Sequence, residues 1–132
     1  MISTKGRYAL RVMLDLAAGE GFVSLKDIAD EQEISMKYLE AIASVLTKAG
    51  MITSIRGKNG GYRLTKTPAE YTVGDILRQT EGSLAPVSCL ESGCPNSESC
   101  ITLPLWAGLD RRIDAYLSSV TLADVLQGTV PE

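Results

Sequence analysis

Three cysteines are the residues of this 132-residue chain whose type and spacing most directly suggest chemistry. Cys89, Cys94 and Cys100 are spaced C-x4-C-x5-C within residues 83–101, a stretch without hydrophobic periodicity. In a cytoplasmic chain, thiols clustered in this way favour metal binding or redox chemistry over a structural disulfide framework. The chain has no histidine, which excludes His-based catalysis and any histidine ligand. A zinc site on these thiols would need a fourth ligand from another residue type.

A basic hairpin is the second feature with a chemical role. Residues 53–66 hold four basic side chains and no acidic one. Two short strands are expected at 51–55 and 62–64, and the Lys-Asn-Gly-Gly sequence at 58–61 tolerates the positive φ angles of a hairpin turn. A basic, glycine-tipped hairpin that follows a helix is what a winged helix-turn-helix presents to DNA.

The helix before this hairpin is expected to begin after Ser35, whose hydroxyl can cap it, and to end at Gly50. Apolar residues recur between them at helical spacing: Leu39, Ile42, Ala43, Leu46 and Ala49. Ser24 and Asp27 predict the start of a shorter helix, which precedes this one and is separated from it by a tight turn. A further helix is expected over about 4–18. Together these elements predict a helix-turn-helix.

The C-terminal half should position the cysteines and join two copies of the chain. Thr72 with Asp75 predicts a helix that ends before Gly82, and Thr121 with Asp124 predicts a last short helix. Thr102 is expected to cap a long helix that reaches about residue 119. Its apolar stripe has spacings of 3, 4, 3 and 4 in Trp106, Leu109, Ile113, Tyr116 and Val120. We interpret this heptad-like seam as a dimer interface; the alternative is packing on its own domain.

Charge is divided between the two halves of the chain. Residues 1–66 hold ten Lys/Arg and seven Asp/Glu, a net charge of +3, whereas residues 67–132 hold three Lys/Arg and nine Asp/Glu, a net charge of −6. A basic half that meets phosphate and an acidic half kept away from it suit a DNA-binding protein; chance clustering is the alternative. No apolar run approaches the roughly 20 residues of a membrane span, and the N-terminus does not read as a signal peptide. A cytoplasmic protein is expected.

These elements together resemble the IscR/NsrR/CymR family of bacterial transcription regulators. The similarity extends over nearly the whole chain and is carried by STKGRYAL (3–10), IS-x-x-YLE (34–40), KAGMITSIRGKNGGYRL (48–64) and VGDILRQTEG (73–82), then by the cysteine loop, LW and TLADV. The Arg-Gly-x-x-Gly-Gly-Tyr wing is the most specific of these motifs. The family implies a homodimer that binds a partly palindromic operator, with the long helices crossing at the dimer interface.

The resemblance also implies which residues contact DNA. Recognition-helix positions that reach base edges match Ser35, Lys37 and Glu40, and the wing arginine that enters the minor groove matches Arg56. A carboxylate can accept from cytosine N4, and an arginine suits the negative potential of an A·T-rich minor groove. A solvated helix charge is the alternative for Glu40. The full DNA-binding set predicted is Ser35, Lys37, Glu40, Arg56, Gly57, Lys58 and Tyr62.

For the cysteines, the family implies an iron–sulfur cluster, most often 2Fe-2S, held by Cys89, Cys94 and Cys100. Two departures stand out. Related members have five residues in the first interval, and many place a histidine where this chain has Leu103. Other members use an acidic ligand, for which this chain offers Glu91, Glu98 and the Asp15 of a second copy. Alternatives are a thiol-based redox sensor without a cluster and cysteines without a sensory role.

Taken together, the sequence predicts a mainly α fold with a small β-hairpin wing, in three parts: a winged helix DNA-binding domain at 1–82, a sensory loop at 83–101, and a dimerisation helix with a short final helix at 102–132. The function expected is that of a dimeric, non-enzymatic transcription regulator, a repressor or a dual regulator. A redox or iron–sulfur carrier with the same fold and a protein-interaction module are the rivals; no C-x-x-C pair supports the first.

Overall fold

Helices account for most of the secondary structure. The computed structural model describes residues 2–87, 90 and 100–132. Within them lie six α-helices: α1 (Thr4–Ala18), α2 (Leu25–Gln32), α3 (Met36–Lys48), α4 (Val73–Glu81), α5 (Leu103–Ser119) and α6 (Leu122–Gln127). Strands β1 (Ile52–Ile55) and β2 (Gly61–Leu64) form an antiparallel hairpin between α3 and α4, followed by a 3-10 turn at Pro68–Glu70. The predicted fold class, mainly α with a small β-hairpin wing, is confirmed.

Most of these helices have, at the N-cap position, a serine or a threonine that caps the helix through its side chain. In each case the oxygen accepts a hydrogen bond from the backbone N–H three residues further on, which satisfies one of the free donors of the first turn; the capping residues are Ser3, Ser24, Ser35, Thr72 and Thr121. Thr102 occupies the N-cap position of α5, as predicted, but the prediction that its side chain caps the helix is wrong. Its side chain makes no capping hydrogen bond, and its hydroxyl lies 3.2 Å from the Sγ of Cys100 instead.

The turn between α2 and α3 depends on one left-handed residue. Glu33 has φ 55° and ψ 44°, and the N–H groups of both Glu33 and Ile34 are directed at the carbonyl of Ala29. Ile34 is then buried in the core, and Ser35 starts α3 directly afterwards. This sharp reversal fixes the direction in which α3 leaves α2.

Replacing Glu33 with glycine should raise the free energy of unfolding by about 0.5–1 kcal/mol, because the left-handed conformation costs an L-residue about 1–2 kcal/mol and glycine adopts it freely. Urea unfolding measures the change. Glu31→Gly is the matched control, since Glu31 lies within α2 and its loss should lower stability by up to about 1 kcal/mol. Equal losses in both variants would contradict the assignment of strain to Glu33.

The wing is attached to the rest of the fold through the segment before α2. Val23 and Tyr62 exchange two backbone hydrogen bonds of 2.8 Å, so β2 pairs with β1 on one side and with Val23 on the other. Gly61 has φ 151°, and a Cβ at this position would lie 2.3 Å from the carbonyl oxygen of Val23. This close approach of two backbones requires a glycine.

A buried tyrosine closes the base of the wing. Tyr71 is 3 % exposed, and its hydroxyl donates to the carbonyl of Met51 at 2.7 Å while it accepts from the N–H groups of Thr65 and Lys66 at 3.0 Å. One side chain thus satisfies backbone groups at both ends of the hairpin. The hairpin therefore leaves the core at a fixed place.

The C-terminal helix returns to the winged-helix core. Leu122 is fully buried and belongs to the core cluster that also contains residues of α1, α3 and β1. The backbone supports this return, because Val73 donates to the carbonyl of Val120 at 2.8 Å and Leu122 donates to that of Tyr71 at 3.0 Å. The end of the chain thus completes the core that the first helices build.

The long helix α5 stands out because none of its residues is buried in its own chain. Its hold on the core lies toward its C-terminal end, where Leu117 packs near Val73 and Leu77 and where Arg78 of α4 forms an ion pair with Asp114. Leu105, Leu109 and Tyr116 are 62 %, 39 % and 41 % exposed, and Trp106 and Ile113 are half-buried.

The predicted seam needs one correction. Val120 lies beyond the end of α5 in extended conformation and is 3 % exposed, packed against Val73 and Leu77 of its own chain. It therefore has no surface to offer a second copy.

Within the described residues, no helix is both long and apolar enough to cross a membrane.

Candidate functional site

The first turn of α3 presents three polar side chains to solvent. Ser35, Lys37 and Glu40 are all exposed. The Ser35 hydroxyl accepts from the Tyr38 N–H at 3.2 Å, which leaves its own proton free to donate to a phosphate or a base. No ion pair within the described residues involves Lys37 or Glu40. This surface is therefore open to hydrogen bonding with a ligand.

The opposite face of α3 holds the helix in place. Leu39, Ile42 and Leu46 are fully buried. Tyr38, half-buried, meets the ring of Tyr8 of α1 edge-to-face with 5.9 Å between the ring centres. The helix is thus supported by packing on one side and free on the other, as a recognition helix must be.

Arg56, Gly57 and Lys58 lie at the tip of the wing and are exposed. The tip is closed by a hydrogen bond of 3.0 Å from the Gly60 N–H to the Gly57 carbonyl. Arg56 has no ion-pair partner among the described residues. A narrow loop that carries unpaired positive charges is suited to a groove lined by phosphate.

Two further polar residues of the hairpin, Tyr62 and Arg63, make contacts within the protein. Tyr62 is half-buried and packs against the core, at the rung that joins β2 to Val23. Arg63 places its guanidinium 4.7 Å from the centre of the Phe22 ring, which holds it on the side of the hairpin by a cation–π contact. Tyr62 therefore supports the wing, and its predicted DNA contact stays a prediction.

Cys100 is the cysteine that the structure describes, and it stands three residues before the start of α5. The thiol is half-buried, and its pKa is lowered first by the hydrogen bond with the Thr102 hydroxyl and then by the backbone N–H groups of Thr102 and Leu103. A lowered pKa favours the thiolate, which is the form that binds metals and reacts with oxidants. Cys89 and Cys94 lie outside the described residues, as do the candidate ligands Glu91 and Glu98.

Two residues considered for the fourth ligand position are described. Leu103 is half-buried in the first turn of α5 and carries no donor atom. Asp15 receives hydrogen bonds of 3.0 and 3.2 Å from the Gln32 side chain, so its carboxylate already has a partner within its own chain. The described residues contain no group of three or more Cys, Asp or Glu placed to hold a metal.

Thr102→Val should raise the pKa of the Cys100 thiol, because it removes the hydroxyl that stabilises the thiolate. The expected result is a higher midpoint in the pH dependence of iodoacetamide alkylation, measured with Cys89 and Cys94 replaced by serine so that only Cys100 reacts. Thr102→Ser keeps the hydroxyl and serves as the control, with a midpoint close to that of the parent protein. An unchanged midpoint in Thr102→Val would assign the lowered pKa to the backbone.

Sequence reasoning did not find the contacts that support this site. Tyr8 pairs with Tyr38, and Arg11 lies 5.7 Å from the centre of the Tyr8 ring. The spacing of Tyr8 and Arg11 by three residues on one helix was a signal for the second contact. The first joins residues 30 positions apart in the sequence and needed the fold.

A helix-turn-helix with an open recognition helix and a basic wing defines a DNA-binding regulator, and comparison with known proteins supports this class. The chain matches the family Rrf2, described as iron-dependent transcriptional regulators, over residues 2–128. It belongs to that family. The regulator IscR of Aliivibrio salmonicida (strain LFI1238) is 41 % identical over 128 residues, which cover 95 % of this chain and 76 % of that protein.

Solved structures give the same result. The global cysteine regulator CymR (YrzC) of B. subtilis is 43 % identical, with a TM-score of 0.81 and 98 % of both chains covered. T. potens IscR is 42 % identical, with a TM-score of 0.80, 97 % of this chain and 87 % of that chain covered. The chain is thus a DNA-binding transcriptional regulator and not an enzyme.

Proposed function

We propose that the protein is a cytoplasmic, homodimeric repressor that binds a partly palindromic operator and responds to iron–sulfur or redox status through its three cysteines. Two-fold symmetry of the dimer would match the symmetry of the operator, because each copy offers one recognition helix and one wing. Residues 1–82 form the DNA-binding domain, 83–101 the sensory loop, and 102–132 the dimerisation helix with the short final helix, whose Leu122 completes the core of the DNA-binding domain. The observation that carries the proposal is the open polar surface of α3 beside the unpaired tip of the wing.

Dimerisation is supported by the exposure of α5. This helix of 17 residues has no buried residue, and Leu105, Leu109 and Tyr116 keep 62 %, 39 % and 41 % of their surface uncovered by the described residues. Apolar residues at heptad-like spacing bury that face against a second helix of the same kind. We assign Trp106, Leu109, Ile113 and Tyr116 to this interface, without Val120.

The three cysteines would provide a soft set of sulfur ligands for a metal. Thiolates are the protein ligands of iron–sulfur clusters, and Cys100 sits where its thiolate is stabilised. Three thiolates leave the fourth position to a carboxylate or water, which we expect to give an exposed and labile cluster. A bound 2Fe-2S cluster would supply a redox centre that is sensitive to oxidants and to iron supply.

Direct thiol chemistry is the second candidate. The same lowered pKa of Cys100 makes it a better nucleophile towards oxidants, and two further cysteines within the loop can form a disulfide with it. The description of the family as iron-dependent supports the first candidate, an iron–sulfur cluster.

The position of Cys100 suggests how either signal reaches DNA. Cys100 adjoins the N-terminal end of α5, while the C-terminal end is tied to α4 through the backbone bridge between Thr72 and Thr121. A change at the thiol therefore acts on the end of the helix that lies opposite this bridge. In a dimer built on α5, a tilt of this helix alters the distance between the two recognition helices and hence the fit to the half-sites.

The proposal is tested on protein purified without oxygen. The ultraviolet–visible spectrum and the iron and sulfide content test for the cluster, and binding to an operator enriched from random-sequence DNA tests for sequence-specific recognition. Visible charge-transfer bands with about two irons and two sulfides per chain are expected for a 2Fe-2S site. A colourless protein with three titratable thiols, still colourless after reconstitution, would leave thiol sensing. Weak DNA binding with a flat salt dependence would instead favour a protein-interaction module.

A further inference from the structure

Helix α1 exposes two arginines that form no ion pair with any residue the structure describes. Arg7 and Arg11 lie one turn apart, and residues 1–14 contain no Asp or Glu. The nearest acid along the helix, Asp15, would be placed to pair with Arg11, but its carboxylate is held by the Gln32 amide. Within the described residues, the ion pairs are those of Arg78 alone. No acidic side chain among the described residues therefore neutralises the positive charge of Arg11.

Arg11 is connected to the recognition helix through two aromatic rings. Its guanidinium lies 5.7 Å from the centre of the Tyr8 ring, and Tyr8 contacts Tyr38 edge-to-face with an interplanar angle of 84°. Tyr38 is in the first turn of α3, where its N–H is capped by Ser35. Two successive ring contacts thus connect Arg11 to the end of α3 that holds Ser35 and Lys37.

We propose that Arg11 contacts a DNA phosphate and that Tyr8 positions it, so that the DNA-binding surface continues from α3 onto α1. The inference rests on the proposed function and adds residues that were not part of the predicted set. Phosphate contacts fix the register of a protein on the duplex, and they come mostly from Arg and Lys near the element that reads the bases. A guanidinium stacked on a ring loses less freedom when it binds than a fully mobile one.

The rival occupant of this surface is the acidic half of a second copy. The structure favours DNA because Asp114, an acid in the middle of α5, is already paired with Arg78 in its own chain. Glu81, the acid nearest the start of α1, is likewise taken, since it accepts hydrogen bonds from the Ser3 hydroxyl and N–H. These pairs leave fewer carboxylates free to meet Arg11.

The test uses the full chain and a 40-bp mixed-sequence duplex, because a phosphate contact does not depend on base sequence. Arg11→Gln is compared with Arg112→Gln, which removes the same charge from the exposed part of α5. Binding is measured by fluorescence anisotropy from 50 to 300 mM salt, and sedimentation equilibrium gives the oligomeric state. For Arg11→Gln, the negative slope of log K against log salt should become shallower by about 0.9 for each phosphate that is no longer neutralised. The affinity at low salt should decrease by roughly 10- to 100-fold in a dimer.

Each result decides the matter. A reduced slope in Arg11→Gln with an unchanged mass and a wild-type slope in Arg112→Gln supports the proposal. An equal reduction in both variants overturns it, because it shows a general effect of charge and not a contact at Arg11. An unchanged slope, or a reduced mass that shows Arg11 to hold a second copy, overturns it. If the wild-type protein itself shows no salt-dependent binding, the proposed function fails, which is a distinct outcome.

Tyr8 provides a separate test of positioning. Tyr8→Phe keeps the ring and should retain the wild-type slope and affinity. Tyr8→Leu keeps apolar packing but removes the ring, and it should reproduce part of the affinity loss of Arg11→Gln while the thermal midpoint stays close to that of Tyr8→Phe. Equal DNA binding by the two Tyr8 variants would remove Tyr8 from the proposal.

Discussion

Replacing Arg56 with alanine will weaken operator binding by about 5- to 150-fold, which corresponds to about 1–3 kcal/mol. Arg56 is exposed at the wing tip without an ion-pair partner among the described residues, so its guanidinium is free to enter a minor groove. A groove that is narrow has an enhanced negative potential, and arginine responds to it more strongly than other side chains do. The measurement is anisotropy at 0.15 M salt on an operator enriched with the wild-type protein.

Arg63→Ala is the matched control, since it removes the same side chain from the same hairpin. Arg63 lies over the ring of Phe22 at the side of the wing, so its loss should reduce affinity less than the loss of Arg56. Arg56→Lys should recover only part of the affinity, because a lysine keeps the charge without the planar fork. Wild-type affinity in Arg56→Ala would remove this residue from the interface.

Leu122→Ala will lower the free energy of unfolding by about 2–5 kcal/mol. Leu122 is fully buried and belongs to α6, the last helix of the chain, yet it packs in the core formed by α1, α3 and β1. Truncation there leaves a cavity in the centre of the DNA-binding domain. Urea unfolding followed by circular dichroism at constant protein concentration measures the effect, because dimer stability depends on concentration.

Leu126→Ala provides the comparison within the same short helix. Leu126 is 43 % exposed, so its truncation should change stability by no more than about 0.5 kcal/mol. If both leucines gave the same small loss, α6 would be an appendage and not a part of the core. A large loss for Leu122 alone shows that the ends of the chain fold together.

Local signals predicted most of the helix boundaries. A capping hydroxyl and the N–H group from which it accepts a hydrogen bond lie three residues apart. The residues at Ser35 and Thr121 therefore suffice to predict where their helices begin. Gly50 at φ 74° ends α3 for the same reason, because a left-handed C-terminal residue depends on its own conformational freedom. The exception is Thr102, where a nearby thiol competes for the hydroxyl.

Contacts between distant residues were not predictable in this way. Nothing in the residues around Tyr71 shows that its hydroxyl reaches Met51, 20 positions earlier, or that Arg78 reaches Asp114 across 36 positions. Val120 shows the same difficulty, since its spacing continues the apolar seam while its backbone leaves the helix. Periodicity predicts which residues share a face, and the end of the helix decides where that face stops.

The candidate site was predictable to different degrees in its two parts. The exposed polar face of α3 and the tip of the wing follow from pattern and resemblance, because both consist of consecutive residues on single elements. The cysteine site depends on how residues 83–101 fold and on which atom completes the ligand set, and spacing fixes neither. Only the setting of Cys100, beside Thr102 at the start of α5, belongs to the described residues.

The base of the wing makes several contacts with the core, whereas the tip makes few among the described residues. This difference affects which promoters the protein can bind. Tyr71 and the pairing with Val23 secure the base, whereas the backbone between Arg56 and Gly60 is closed by one turn hydrogen bond among the described contacts beyond the strand pairing. Fixing each such residue against DNA costs about 1–2 kcal/mol in conformational entropy. In return, a tip held in this way would adjust to DNA grooves of different width without disturbing the core. A set of promoters that differ in groove shape would therefore be occupied in graded order as the amount of active regulator rises.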